Sequence, residues 1–456
     1  MTVVVNTRDD FTLATFRRVS HGGEPVRLGD RARRALAAAS HRAAPEPRSG
    51  DGAHGAGAHG DGQAADDTIV GSQLDERVVR ELDERVVRGT VFACLAGWVT
   101  GDSPVSLATA ERAAALLGGP PPRILPGGQA GVGEAACAAA LAADTALQAR
   151  HRLEHAEAVC ALSIEAFGAP LGAYDQALDD LWGDGHETAA LEALRRHLDG
   201  AGPGDRRFHQ PPVSYRIIPR VLGQVHRAVA GVEKAAAVSL RSVTGDILFL
   251  GGTAGGTAGG PAGRVLRTGG VGHGLAYPAL NALSAAWADL ALVAERQVTA
   301  LNTAETSGLP VNLGVPGAAR SGTYAYGWAA SGYVEEARAA ATPALLPAAV
   351  SDPHTDALSP ALSAYRRQRR AAECLDGVLA ILMIVSSQAL FVTGRSPAEP
   401  LRPWLGFARS VFPPIDGTGE RDLSADGGRL QQALGAAALT GRLVPAPAPP
   451  APSAGL

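Results

Sequence analysis

The sequence predicts a mainly α protein, a bundle of long helices. Alanine-rich stretches with a helical apolar period recur between about residues 130 and 391. Amphipathic helices of that length bury their apolar stripes against one another. Strand-like alternation is confined to short runs. With 456 residues, 46% of them hydrophobic and 19% charged, the chain has the apolar mass for a large core and is not wholly disordered.

Taken in order, residues 1–41 hold a short strand-like opening and a helix over Gly29–Ser40. Residues 42–67 are Gly, Ala, His, Asp and Pro with almost no large apolar side chain. Such a stretch cannot offset its own ordering entropy and reads as a flexible loop. His54 and His59 lie there near Asp51 and Asp61. With no helix to fix a ligand geometry, no metal is assigned to them. The heptapeptide LDERVVR then occurs twice, at Leu74–Arg80 and Leu82–Arg88. The eight-residue offset places matching residues near one helical face, with Leu and Val expected inside and Asp, Glu and Arg outside. It reads as a packing or oligomer helix.

Residues 130–165 form an alanine-rich helix, and further helices fit 189–198, 219–240, 278–304, 323–342 and 359–391. A short strand, Asp246–Leu250, precedes the Gly/Thr/Ala loop 251–263, which lacks the GxxxxGK[ST] of a phosphate loop. From residue 443 the sequence LVPAPAPPAPSAGL reads as a disordered Pro/Ala tail. The expected organisation is an N-terminal segment 1–41, a loop 42–67, a helical domain 68–442 and a tail 443–456.

A net charge of −4 and a pI near 6.3 leave no basic footprint for nucleic acid. All but one of the 41 basic residues are arginine, the exception being Lys234; with the abundant Ala and Gly this is the coding bias of a high-GC, bacterial genome. Cys94, Cys137, Cys160 and Cys374 are scattered without a CxxC pair, which fits buried thiols in a reducing cytoplasm. The opening residues lack a basic segment followed by an apolar one. The most apolar run, Val378–Val385, is about eight residues, far short of the ~20 that span a bilayer. The expected location is the cytoplasm, with no membrane partner.

Several segments, in order, resemble the histidine/phenylalanine ammonia-lyase family. Val19-Ser20-His21-Gly22-Gly23 through Ala35 is similar to its opening strand and first helix. Ala161-Leu162-Ser163-Ile164-Glu165-Ala166-Phe167 is similar to its Leu-Ser-Val-Glu-Ala helix end. Gln210–Gly223 follows Gln-Asp-x-Tyr-Ser-x-Arg-x-x-Pro-Gln-x-x-Gly. The likeness continues through Gly272-His273-Gly274, Ala294-Glu295-Arg296, Ser307-Gly308-Leu309-Pro310, Ser321-Gly322, Val334-Glu335-Glu336 and the helix from Ser359 to Leu390. It implies an ammonia-lyase-like bundle, here with a truncated and remodelled N-terminal domain, in a homotetramer whose sites draw on several subunits. The altered N-terminus leaves a homodimer open.

The family's chemistry depends on an electrophile, a methylidene-imidazolone ring built from an internal Ala-Ser-Gly. The segment that should carry it is missing ahead of Val91–Trp98, which resembles the helix that follows the electrophile. The chain's one Ala-Ser-Gly, Ala330-Ser331-Gly332, comes too late, inside a predicted helix. The family's Tyr-Gly-x-x-Thr-Gly-Phe-Gly loop, with its catalytic tyrosine, has no counterpart. Its Asn-Gly-Thr falls on Gly133-Glu134-Ala135, the tyrosine of Tyr-Ser-x-Arg becomes Val213, and the late Gln-Glu becomes His354-Thr355 before a retained Asp356. The expectation is a chain without this prosthetic group and without another cofactor.

By resemblance Arg216 is the arginine that holds the substrate carboxylate, and a planar guanidinium suits that bidentate task. It would serve equally to hold a helix terminus or pair with a buried acid. Tyr215 adds a hydroxyl and Arg220 a second cation, open to neutralisation by Glu295 or Asp356, and Asp356 is itself a binding candidate. His273 and His354 are candidate general acid/base groups, since imidazole exchanges protons near neutral pH. Tyr277 offers a phenol to an oxyanion, or is a core tyrosine. Glu336 is a proton acceptor or an ion-pair partner, and the adjacent Glu295 and Arg296 read as a structural pair. The function expected is proton-transfer catalysis on an anionic or carbonyl-bearing small molecule of bacterial specialised metabolism, by cyclisation through conjugate addition, isomerisation or elimination. The alternative is a non-catalytic homologue acting as scaffold or partner subunit.

Overall fold

A computed structural model describes residues 1–40, 68–71, 82–103, 105–120, 123–126, 134–202, 206, 210–245, 247–250, 264–270, 272, 274–315, 322–346, 357, 359–417 and 422–442. The loop 42–67, the first LDERVVR copy, the run 251–263, the tail from 443, and His273, His354 and Asp356 lie outside the described residues.

Helices of ten or more residues are, in chain order, α1 (Asp30–Ser40), α2 (Glu84–Trp98), α3 (Leu107–Leu116), α4 (Glu134–Phe167), α5 (Gly185–His197), α6 (Ile218–Ser242), α7 (Ala276–Asn302), α8 (Tyr324–Ala340), α9 (Ala361–Val392), α10 (Arg402–Val411) and α11 (Leu423–Thr440). The predicted long helices all form. Their ends follow local chemistry: the Asp184 carboxylate accepts the His186 and Glu187 N–H groups at 3.0 Å to open α5, and Asp422 does the same for α11. Among the described residues, short helices and three two-stranded sheets accompany them. β1 (Val3–Val5) pairs in parallel with β2 (Val26–Leu28), and β3 (Thr68–Gly71) with β4 (Arg123–Pro126). β5 (Ile247–Leu250), the predicted strand, pairs antiparallel with β6 (Arg264–Arg267) in the register Ile247↔Arg267.

The chain divides into two bodies. The first comprises Met1–Asp144, Glu233–Tyr277 and Leu346–Leu362. Its aromatic core joins Phe11 to Phe92, ring centroids 4.7 Å apart, with Phe16 at 6.5 Å. Gly89 is required there, because a Cβ at that position would stand 2.5 Å from the Phe16 ring. From Val86 to Trp98 every residue of α2 is buried.

That burial corrects the reading of the second LDERVVR copy. Arg88 points inward and is 4% exposed; it donates to the Val19 carbonyl at 3.3 Å, to Gly119 at 3.1 Å and to Leu117. Leu117 and Gly119 follow the last turn of α3, where carbonyls lack helical partners and a cation is favoured. Arg85 Nε donates to Asp144 at 2.7 Å, and His21 Nε2 donates to the same oxygen at 3.0 Å. Burial alone would raise the Asp144 pKa; the His21 and Arg85 partners outweigh it and hold the carboxyl below its usual range.

The second body comprises Thr145–Val232, Pro278–Leu345 and Ser363–Leu456. Its core is α9, whose residues Val378–Val385 are all buried, as expected. The helix is long and apolar enough to cross a membrane, but 89% of its most apolar window is buried within the protein. Arg152 forks onto Asp376 at 2.8 and 2.9 Å, both side chains buried. His155 packs edge-on to Trp404 at 5.6 Å; burial, with Arg152 and His151 nearby, pushes its pKa down to about 4. All four cysteines are buried, and burial pushes Cys137 and Cys160 up to about 12, so these thiols are unreactive.

Two outcomes follow from these buried groups. Replacing Arg88 by Ala strands three carbonyls and should lower stability by roughly 3 kcal/mol in urea unfolding; an unchanged midpoint would show that water replaces the guanidinium. His155 has a folded pKa below its ordinary 6.5, so between pH 6.5 and 4 the unfolded chain binds more protons. Stability should therefore fall as pH drops through that window, by about 3 kcal/mol at its acid end. His155→Gln should remove that part of the acid limb while leaving the rest.

Candidate functional site

The short helix Val213–Arg216 begins where Pro211-Pro212 hold the chain extended, Pro212 having φ −47° and ψ 148°. Three side chains pin it. Gln297 Nε2 on α7 donates to the Ser214 carbonyl at 3.1 Å, and the Tyr174 hydroxyl donates to the Tyr215 carbonyl at 2.7 Å. The Tyr215 hydroxyl meets Ser163 Oγ at 3.2 Å while its ring stacks on Phe167, centroids 4.4 Å apart. Tyr215 is wholly buried, and burial raises its phenol pKa far above the ordinary value. It anchors the helix from inside rather than offering a hydroxyl to a ligand.

With Tyr215 inward, the helical period turns Val213, Arg216 and Ile217 outward together. Val213 is 54% exposed, Ile217 37%, and Arg216 is exposed between them. Arg216 Nε donates to the Pro211 carbonyl at 3.1 Å, and among the described residues no acidic side chain pairs with it. The result is a guanidinium flanked by two apolar side chains, a face that suits a carboxylate with an apolar body.

Arg220 does not join it as a free second cation. Its Nη1 reaches both Glu187 oxygens at 2.9 and 3.1 Å, and its guanidinium lies 4.0 Å over the Trp182 ring. Of the two acids weighed from the sequence as its partner, Asp356 lies outside the described residues and Glu295 is engaged elsewhere. Glu295 is buried, accepts from Thr299 Oγ1 at 2.9 Å and Ser331 Oγ at 3.3 Å, and pairs with its neighbour Arg296 at 3.1 Å, the structural pairing expected. Glu336 pairs with Arg370 at 2.5 Å, both side chains 47% exposed, which makes it a surface ion pair rather than a poised base.

Tyr277 is the second residue of α7 and half-buried, in the first body. That body also holds an acid absent from the sequence-based candidates. Glu134 opens α4, is half-buried, and its carboxylate accepts the Ser359 N–H two residues ahead of α9. Burial raises its pKa, opposed by the Ser359 hydrogen bond. The sequence did carry a signal, an acid where the family motif is the neutral Asn-Gly-Thr, but nothing local told of its burial.

The chain's Ala330-Ser331-Gly332 lies within α8, where the Ser331 hydroxyl donates to the Gly327 carbonyl at 3.2 Å. Ring closure needs the Gly332 nitrogen to attack the Ala330 carbonyl carbon, and a helical backbone holds the two apart. These residues do not fit a methylidene-imidazolone. Among the described residues no cluster of three His, Cys, Asp or Glu is placed to hold a metal.

Comparison with known proteins gives these features a context. The family model for aromatic amino acid lyases matches residues 128–407. The chain is 30% identical over 299 residues to histidine ammonia-lyase of Geobacillus thermodenitrificans, covering 63% of this chain and 57% of that protein. It is 29% identical over 281 residues to the Symbiobacterium thermophilum enzyme of the same name, covering 60% and 53%. The chain thus spans a little over half the length of these relatives. In fold it is similar to ergothionase from Treponema denticola (TM-score 0.76, 14% identity, 96% of this chain and 99% of that one). Tyrosine aminomutase from Streptomyces globisporus matches at 0.75 with 18% identity, covering 97% and 98%. Histidine ammonia-lyase from Trypanosoma cruzi matches at 0.72 with 17% identity, covering 97% and 94%. A family model spanning more than half of the chain leads to one conclusion: the chain belongs to the aromatic amino acid lyase family.

Proposed function

We propose that this family member is an enzyme that works by proton transfer, without a methylidene-imidazolone, on a small anionic or carbonyl-bearing molecule. Cyclisation by conjugate addition, isomerisation and elimination all fall in this class, since each needs one group to take a proton and one to return it, with no net electron transfer. The observation that carries the reading is the exposed Val213–Arg216–Ile217 face on a helix pinned from beneath. A surface arginine with no function has no need of three buried side chains to fix its backbone. The acid/base part is supported by Glu134, whose burial keeps it nearer to neutral pH than an ordinary glutamate. On the family resemblance alone, Tyr277, His273, His354 and Asp356 are proposed as further acid/base and binding candidates. A cytoplasmic homotetramer or homodimer in bacterial specialised metabolism is part of the same proposal.

A second reading, a non-catalytic scaffold or partner subunit, is favoured by the structural employment of Tyr215, Arg220 and Glu336. Metabolite profiling of a gene deletion separates the two. The deletion should accumulate a precursor that wild type clears and Arg216→Ala clears at least about tenfold less well, the loss expected for one charge-assisted contact. Full complementation by stably expressed Arg216→Ala would remove the binding role and put the scaffold ahead.

Glu134 has a separate test. A carboxyl whose folded pKa lies above its unfolded value costs stability once pH rises through the folded pKa. Glu134→Gln keeps an oxygen for the Ser359 N–H and removes the charge, so at pH 7 it should unfold at higher urea than wild type while failing to clear the precursor. A less stable variant would identify Glu134 as a structural anchor.

A further inference from the structure

In the first body, the segment Val19-Ser20-His21-Gly22-Gly23 carries an imidazole that the candidate site does not use. Arg17–His21 form a single π-helical turn, closed by the Gly22 N–H donating to the Arg17 carbonyl at 3.0 Å. This wider turn, a form that recurs at functional sites, brings His21 to Asp144 on α4. There Nε2 donates to a carboxylate that is wholly buried and also takes Arg85 Nε at 2.7 Å. Held from both sides, Asp144 fixes the plane and the tautomer of the imidazole. The other ring nitrogen, Nδ1, has no partner among the described residues and keeps an edge to solvent, 15% of the side chain being exposed. The next two residues are glycines for geometric reasons. A Cβ at position 22 would stand 2.7 Å from the Arg18 carbonyl oxygen, and Gly23 has φ +66°.

A proton on Nε2 leaves the lone pair on Nδ1, and the buried carboxylate stabilises the cation formed when that pair is used. Such a nitrogen is a nucleophile toward an acyl carbon. The charges around it narrow the substrate. Arg85 is taken by Asp83 at 2.6 Å as well as by Asp144, and Arg18 forks onto Glu24 at 2.6 and 3.0 Å. Neither guanidinium is left for a phosphate or a second carboxylate, so the site suits an uncharged reacting group.

We propose that His21, oriented by Asp144, is the nucleophile of a further catalytic site that hydrolyses small, uncharged, activated esters or thioesters. Nδ1 attacks the acyl carbon, and the bond to the leaving oxygen or sulfur breaks with its electron pair. The acylimidazolium that forms is paired with the Asp144 carboxylate. Water then adds to the acyl carbon, the C–N bond breaks and its pair returns to Nδ1. The proton that water gives up goes to the first leaving group, so one water is consumed per acyl bond and no other reactant is needed. The proposal is independent of the Arg216 reading, which concerns the other body.

The test follows hydrolysis of 4-nitrophenyl acetate by the full-length chain and by His21→Gln, whose amide keeps an N–H for Asp144. The wild-type rate should exceed that of the variant by about tenfold or more, within the ~10²-fold that a positioned acid/base group supplies. The background from the chain's other histidines is common to both. Diethyl pyrocarbonate leaves an ethoxycarbonyl group on a nucleophilic ring nitrogen. It should label the tryptic peptide Val19–Arg27 several-fold faster in wild type than in Asp144→Asn. A cluster that only packs helices would loosen in that variant and label faster. Equal hydrolysis by wild type and His21→Gln, or labelling as fast or faster in Asp144→Asn, would overturn the proposal.

Discussion

The rest of this structure depends on the rule that a charge taken out of water must be met by an opposite charge or by several donors. The long helices carry many acids and arginines, and those turned inward are met this way. Asp144 receives both His21 and Arg85, Asp376 takes the fork of Arg152, and Glu165 takes Arg206 at 2.5 Å and the Ala398 N–H at 3.1 Å. Glu157 meets His226 at 2.6 Å. Removing one partner from such a pair leaves a bare buried charge, at a cost of about 3–5 kcal/mol. That cost is of the bare charge left behind, so these contacts penalise helix arrangements that separate the partners.

The same rule shows which polar groups are left over. Arg220 and Glu336 have ordinary carboxylate and guanidinium partners, and the Tyr215 hydroxyl is consumed in the core. Glu134 is different: it is half-buried, and against the cost of its burial the described residues offer one backbone N–H. Arg216 differs in the opposite way, exposed while its helix is fixed from beneath.

Membership of the aromatic amino acid lyase family accounts for the frame without transferring the chemistry, since function resides in the site and not in the fold. Ser331, the one serine set between alanine and glycine, spends its hydroxyl on the Gly327 carbonyl and Glu295 within a regular helix. The proposed proton transfer would need no electrophile of this kind, only acid and base groups and a place to hold the substrate.

What the sequence by itself determined is the helical frame. Apolar period is a local property, so the stretches predicted over 130–165, 219–240 and 359–391 correspond to Glu134–Phe167, Ile218–Ser242 and Ala361–Val392. The family motifs, read in order, carried the fold. Which polar residues became partners was decided only in three dimensions. Arg88 sits in a heptapeptide whose pattern puts arginine on the polar face, and it is buried because the end of α3 comes to it from beyond Leu116. Tyr215 sits beside Arg216 in the chain, but Ser163 and Phe167 claim it. Arg220 finds Glu187 from 33 residues away, and Glu134 finds Ser359 from 225. Periodicity reports which face of a helix is apolar, whereas the fate of a charge depends on what the remainder of the chain packs against that face.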